Sequence, residues 1–210
     1  MANFRTHVVG AAVPSALLAS WLLHAHGLSL PVSAACLVCG STGGLLPDVD
    51  SEESIPTRLV FSTVGALSAL LAASAVYQRL GSEYAPLFAL ATGLLTYVLI
   101  RYGLVDLFHA VTKHRGVIHS IPMAAACGLA LHHGLSLALS MAASVAMWPG
   151  IFLSGGFIVH LLLDELYSVD LRGARLKRSF GTAMKLGSRS NLTGTIGIYA
   201  AVIAMVVAMI

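Results

Sequence analysis

Between Arg115 and Asp164 the chain runs for 48 residues without a single Lys, Arg, Asp or Glu. A helix needs about 20 apolar residues to cross the hydrocarbon core of a bilayer. The run is therefore long enough for two crossings and too long for one, which requires a fold-back, expected at His132-His133-Gly134. Shorter charge-free runs cover 8–26, 28–46, 59–78, 84–100 and 190–210. Together they predict seven membrane spans. Inside lipid every backbone amide and carbonyl must be satisfied within its own segment, so the spans are helices and not open strands. The expected fold is all-α, a polytopic transmembrane helical bundle of about seven spans, with residues 1–210 forming one membrane-embedded domain. Charged residues make up 10% of the chain and mean hydropathy is +0.85, against roughly 25% charge in soluble domains.

Basic residues orient such a bundle. Of 12 Lys and Arg, all but Arg79 fall in the loops 1–7, 47–58, 101–117 and 164–191. That asymmetry places these loops, and the N-terminus, in the cytoplasm. The formal charge of +3 is too small to suggest nucleic acid. Its concentration in the basic cytoplasmic segment 171–191, ahead of the last helix, suits anionic headgroups instead. A retained first helix is expected over a cleaved signal peptide, because the apolar run of 8–26 continues into a second span after only Gly27. Segment 101–113 reads as a short amphipathic helix on the bilayer surface, with Asp106 and His109 either supporting the ligands from behind or incidental to chemistry. Cys36, Cys39 and Cys127 lie inside apolar runs and read as small hydrophobes. Gly40, Gly43, Gly44 and the Gly155-Gly156 pair read as sites of close helix packing, and Pro149 as a kink in the sixth span.

Five of the nine histidines, with three aspartates, sit where apolar runs begin or end, and all on the cytoplasmic side of this topology. His160-Leu-Leu-Leu-Asp164 puts an imidazole and a carboxylate on one helix face. Metal ligation fits that spacing; so does a core histidine beside a carboxylate that ends a span. His114-Arg115-Gly116-Val117-Ile118-His119-Ser120 offers two imidazoles about a glycine, with a guanidinium fork suited to phosphate; an interfacial basic anchor fits too. Pro47-Asp48-Val49-Asp50 stops the second helix and presents two carboxylates, for metal or for a solvated loop. His7 precedes the first span. Mixed nitrogen and oxygen donors at one rim suit zinc, manganese or iron better than a thiolate site. His24, His26, His132 and His133 fall at the opposite rim and read as interfacial.

At these residues the chain resembles the YdjM-like family of membrane-bound metal-dependent hydrolases. The elements that carry the resemblance are Thr6-His7, Leu46-Pro47-Asp48-Val49-Asp50, His114-Arg115-Gly116-x-x-His119-Ser120 and His160-x3-Asp164. That family is in turn similar to the zinc-dependent phospholipase C and single-strand nuclease superfamily. The resemblance implies His7, Asp48, His114, His119, His160 and Asp164 as ligands, with Asp50 a bridging ligand or base. One departure is that Ser51 and Glu52 stand where family members carry a histidine. The resemblance implies one to three divalent ions, zinc or manganese.

The expected activity is hydrolysis of a phosphoester in a phospholipid or lipid-linked substrate by metal-activated water, at the inner membrane. Asp50 would be the base and Arg115 the stabiliser of phosphoryl charge. Lys177, Arg178 and Lys185 would grip an anionic headgroup or rest on anionic lipid. The alternatives are a divalent-metal or proton-coupled transporter, whose polar residues belong nearer the midplane, and a scaffold with a structural metal.

Overall fold

The computed structural model describes residues 3–50, 54–107, 117–138, 140–170, 175–176, 181, 184–188 and 191–209. Seven α-helices account for most of them: α1 Phe4–Ala25, α2 Leu30–Gly43, α3 Ile55–Leu80, α4 Ala85–Val98, α5 Ile121–Ala138, α6 Ala143–Leu166 and α7 Leu192–Val207. The all-α expectation is met. Among the described residues, strand pairing beyond single bridges is confined to Val169–Asp170 against Arg175–Leu176. Local chemistry starts and stops the helices. Asn3 caps α1 by accepting from the Thr6 amide at 2.9 Å, Ser54 caps α3 at the Thr57 amide, and Asn191 caps α7 at the Gly194 amide. Gly81, at φ +54°, ends α3 in the left-handed region that glycine enters without steric cost.

Four helices are long and apolar enough to cross a membrane: α1, α3, α4 with its extension to Leu107, and α6. The shorter apolar helices α2, α5 and α7 fill the remaining places of the seven expected spans. Large apolar side chains point outward, with Leu17, Leu70, Leu90 and Leu137 each at least two-thirds exposed. Small ones fill much of the interior, including Ala11, Ala19, Ala124 and Ala146. Lipid supplies no hydrophobic drive between helices, so close contact through small residues replaces it.

The chain packs as two compact units, residues 1–47 with 115–210, and residues 48–114. In the second, α3 lies along α4, and Arg101 donates through Nε to Ser62 Oγ at 2.9 Å. In the first, α6 contacts α1, α2 and α5, and α7 leans on α5. Glycine sets the α2–α6 distance: a Cβ on Gly156 would overlap the Gly40 carbonyl, and one on Gly43 the Leu153 carbonyl. A Cβ on Gly44 would strike Ala11 of α1, and one on Gly10 the side chain of Leu163. Gly155, expected to share this role, has open space where a Cβ would go. Pro149 is buried inside α6, and its missing amide removes one intrahelical hydrogen bond.

Two expectations about helix ends are corrected. The fold-back falls after Ala138 and not at His132-His133-Gly134, with Ser140 adopting φ 51° in the turn. One glycine costs a helix only about 1 kcal/mol, too little to break a segment held by packing on both neighbours. Segment 101–107 is not a separate surface helix. It continues α4 through a π-helical turn, Leu99–Leu104, which keeps its backbone groups bonded internally. His109 lies outside the described residues.

Replacing Gly156 by Leu should lower the melting temperature of the detergent-solubilised protein sharply, since overpacking typically costs about 1–3 kcal/mol. Gly155→Ala should leave the melting temperature unchanged or raise it, because a methyl there meets nothing and glycine is a poor helix former. Equal effects of the two would contradict the α2–α6 contact described above.

Candidate metal centre

The first unit brings together four of the residues singled out in the sequence. His7 projects from the first turns of α1, His160 and Asp164 from the last turns of α6, and His119 from the turn entering α5. All four are buried, none more than 2% exposed. The contact between them follows from helix direction. The start of α1 and the end of α6 meet because the two helices run antiparallel, and the start of α5 joins them for the same reason.

His7 Nε2 stands 3.3 Å from Asp164 Oδ1, and His160 Nε2 stands 3.9 Å from Asp164 Oδ2. The rings of His7 and His160 stack at 3.7 Å with 12° between their planes, and His119 meets His160 edge-on at 5.8 Å. One donor atom from each of His119, His160 and Asp164 lies within 4.8 Å of the others. Zinc bonds of about 2.0–2.2 Å let one ion reach donors up to about 4.2 Å apart, so the His7–Asp164 and His160–Asp164 spacings fit a shared cation.

The tautomer of His160 follows from its neighbour. Nδ1 lies 2.7 Å from the Gly44 carbonyl oxygen, which can only accept, so Nδ1 carries the hydrogen. In the neutral ring, Nε2 then presents a lone pair toward the Asp164 carboxylate. Two acceptors facing each other in a dry interior repel unless a cation lies between them. An imidazole that donates its far N–H to a backbone carbonyl is also the usual way a protein orients a metal-binding histidine. His7 Nδ1 is buried and makes no hydrogen bond among the described residues. The donor set therefore fits a divalent ion.

His119 is positioned by Ser120. Its hydroxyl donates to the Val117 carbonyl at 2.6 Å and caps α5 through the Met123 amide. The Ile121 amide donates to the Lys185 carbonyl at 3.0 Å, which lays residue 185 against the turn carrying His119. Farther along, the Tyr199 hydroxyl donates to the Leu186 carbonyl, and Thr195 exchanges hydrogen bonds with Ser188. Of the three basic residues expected to meet a headgroup, Lys185 thereby has its backbone held beside the turn that carries His119. Lys177 and Arg178 lie outside the described residues, as do His114 and Arg115 and the side chain of Asp50.

Asp48 and Asp50 open the second unit on a single 3-10 turn, Leu46–Asp50. Asp48 is half-buried, and its carbonyl accepts from Ser54 Oγ at 3.0 Å. Two contributions were not visible in the sequence. The Gly44 carbonyl is a backbone group, and glycine there signalled only close packing. His132, expected at the interface, lies toward the far end of α5 and is covered by its neighbours, 5% exposed within the first unit.

These features define a polytopic helical membrane protein with a buried cluster of imidazoles and a carboxylate at one end of its spans. The chain belongs to the family described as YdjM inner membrane protein, whose pattern it matches over residues 1–207, which places it in the inner membrane as a multi-pass protein. No curated protein matches it, and no solved structure does.

If the cluster binds metal, His119→Ala, His160→Ala and Asp164→Ala should each abolish tight zinc or manganese binding, measured by elemental analysis after dialysis. His24→Ala and His26→Ala should leave it intact. Gly44→Val should weaken affinity by about 10- to 100-fold, the usual cost of disturbing a group that orients a ligand.

Proposed function

We propose that this protein is a membrane-embedded, metal-dependent hydrolase that cleaves a phosphoester of a phospholipid or lipid-linked substrate at the cytoplasmic membrane face. One observation carries the proposal. Three distant segments of the chain deliver three imidazoles and a carboxylate to one buried point, where the Gly44 carbonyl fixes the His160 tautomer. Burying ionisable groups in a membrane protein is expensive, and such groups mark functional sites by default. Location at the helix ends favours a substrate at headgroup depth over cargo crossing the midplane.

His119, His160 and Asp164 would hold the ion, with His7 beside Asp164. The family resemblance adds Asp48, Asp50 and His114. A divalent ion there would supply Lewis acidity, lowering the pKa of a bound water to about 7. The chain's own groups do the rest. Asp50 accepts the proton of the attacking water. Arg115 pairs its planar guanidinium with two phosphoryl oxygens as charge builds there. Lys185, set one hydrogen bond from the turn that carries His119, holds the anionic headgroup, with Lys177 and Arg178 on the same basic segment.

The test is purified protein in vesicles of labelled phospholipid. Turnover should vanish with chelator, return with zinc or manganese, and fall by more than about 100-fold in His160→Ala and Asp164→Asn, beyond the loss typical of ligand-orienting groups. Lys185→Ala should raise KM several-fold with kcat little changed, the signature of lost ground-state binding. Metal uptake into sealed vesicles with no turnover on any lipid phosphoester would replace the hydrolase by a transporter.

A further inference from the structure

A second feature of the first unit lies away from the metal cluster. Helices α5, α6 and α7 enclose a cavity of about 450 Å³, within the roughly 300–1,000 Å³ typical of small-molecule sites. Its walls are apolar, with Leu129 on α5, Ile151 on α6 and Val202 on α7. Met147, Ile151, Val206 and Met209 all line it and are each at least 40% exposed. The cavity therefore has a lateral mouth facing the hydrocarbon of the bilayer and not the aqueous phase.

One wall group does not belong in an apolar void. His132 lines the cavity, is only 5% exposed, and its Nδ1 makes no hydrogen bond among the described residues. A buried polar atom left unsatisfied costs stability, and a merely structural core position would hold Leu. One turn farther along α5, Ser136 Oγ is likewise buried without a hydrogen bond. His133 is accounted for separately, Nε2 lying 2.8 Å from the Met205 carbonyl and tying α5 to α7. His132 marks one end of the cavity. The other end is lined by Ile121, eleven residues away on α5 and so about 16 Å along the helix axis.

An occupant must then be apolar over most of its length, bear a hydrogen-bonding group at one end, and enter sideways from the bilayer. We propose that the cavity seats one membrane glycerolipid, an ester carbonyl accepting from the N–H of the His132 imidazole and one acyl chain lying along α5 toward Ile121. His132 sits nearly two turns inside the end of α5, the depth of an ester below a headgroup at the membrane surface. The head of this lipid lies at the membrane face opposite His119, so the site is separate from the proposed hydrolytic centre and stands whether or not the protein is a hydrolase.

The experiment uses the full-length protein in phosphatidylethanolamine–phosphatidylglycerol vesicles containing a phospholipid with a photoactivatable diazirine on one acyl chain. After irradiation, adducts should concentrate on Ile151, Val202 and Val206. Adduct yield there should fall roughly tenfold in His132→Phe, equivalent to about 1.4 kcal/mol of lost binding. His132→Asn, whose amide can still donate, should restore part of it. Ala125→Phe fills the cavity from a different wall residue and should abolish labelling, which keeps the test decisive if His132→Phe fails to fold. Native mass spectrometry should find one lipid retained per chain, lost in Ala125→Phe. Labelling spread evenly over lipid-facing positions such as Leu70 and Leu90, or unchanged in both folded variants, would overturn the proposal and leave His132 bonded to water only.

Discussion

The rest of the candidate metal centre depends on the burial of Asp164. A carboxylate at the end of α6, 2% exposed, has lost its water and must be repaid by positive charge or by hydrogen-bond donors. Neutral imidazoles supply only part of that. His160 has already committed its N–H to the Gly44 carbonyl, so it offers Asp164 a lone pair and not a proton. The further nitrogen donors that His7 and His119 bring to the same point suit a cation. An arrangement of this kind is strongly destabilising if one member is removed, so the four side chains act as a unit.

That unit exists because three helices approach closely enough to share it. Gly40, Gly43 and Gly156 remove the side chains that would hold α2 away from α6, and Gly44 lets α1 in against Ala11. The packing and the chemistry are one device. The contact that closes the α2–α6 gap also brings the Gly44 carbonyl to His160. Ser120 plays the corresponding part for α5, capping the helix while fixing the turn that carries His119. Across the same unit, α5 faces a different environment, where a lateral cavity ends in an unsatisfied His132. The two histidine environments differ in their company: carboxylate and other imidazoles in one, apolar walls open to lipid in the other.

Much of this was legible in the chain. The charge-free runs specified helices in a membrane, because length and apolar composition leave a lipid-exposed backbone no other choice. The spacing of His160 and Asp164 specified one helix face, and the glycines of α2 specified close packing. The ends of helices were harder to read. Sequence signals near His132-Gly134 and Arg101 suggested breaks, yet both segments stay helical, because packing on neighbours and the need to bond every amide outweigh the modest penalty of one glycine or one charge. The burial of His132 was hidden for a related reason: a histidine near the far end of a span looks exposed until the neighbouring helices are known to cover it.

The sequence by itself determined the class of protein, the helical repertoire, and the residue types able to bind a divalent ion, since these follow from composition, periodicity and donor chemistry along one chain. Tertiary structure alone decided which of those residues meet. His7 and Asp164 are 157 positions apart and touch only because antiparallel helices bring a beginning to an end. The hydrogen on His160 Nδ1 is set by a backbone carbonyl that no side-chain pattern reveals. The cavity beside His132 belongs to three helices jointly, and a void has no letter in a sequence.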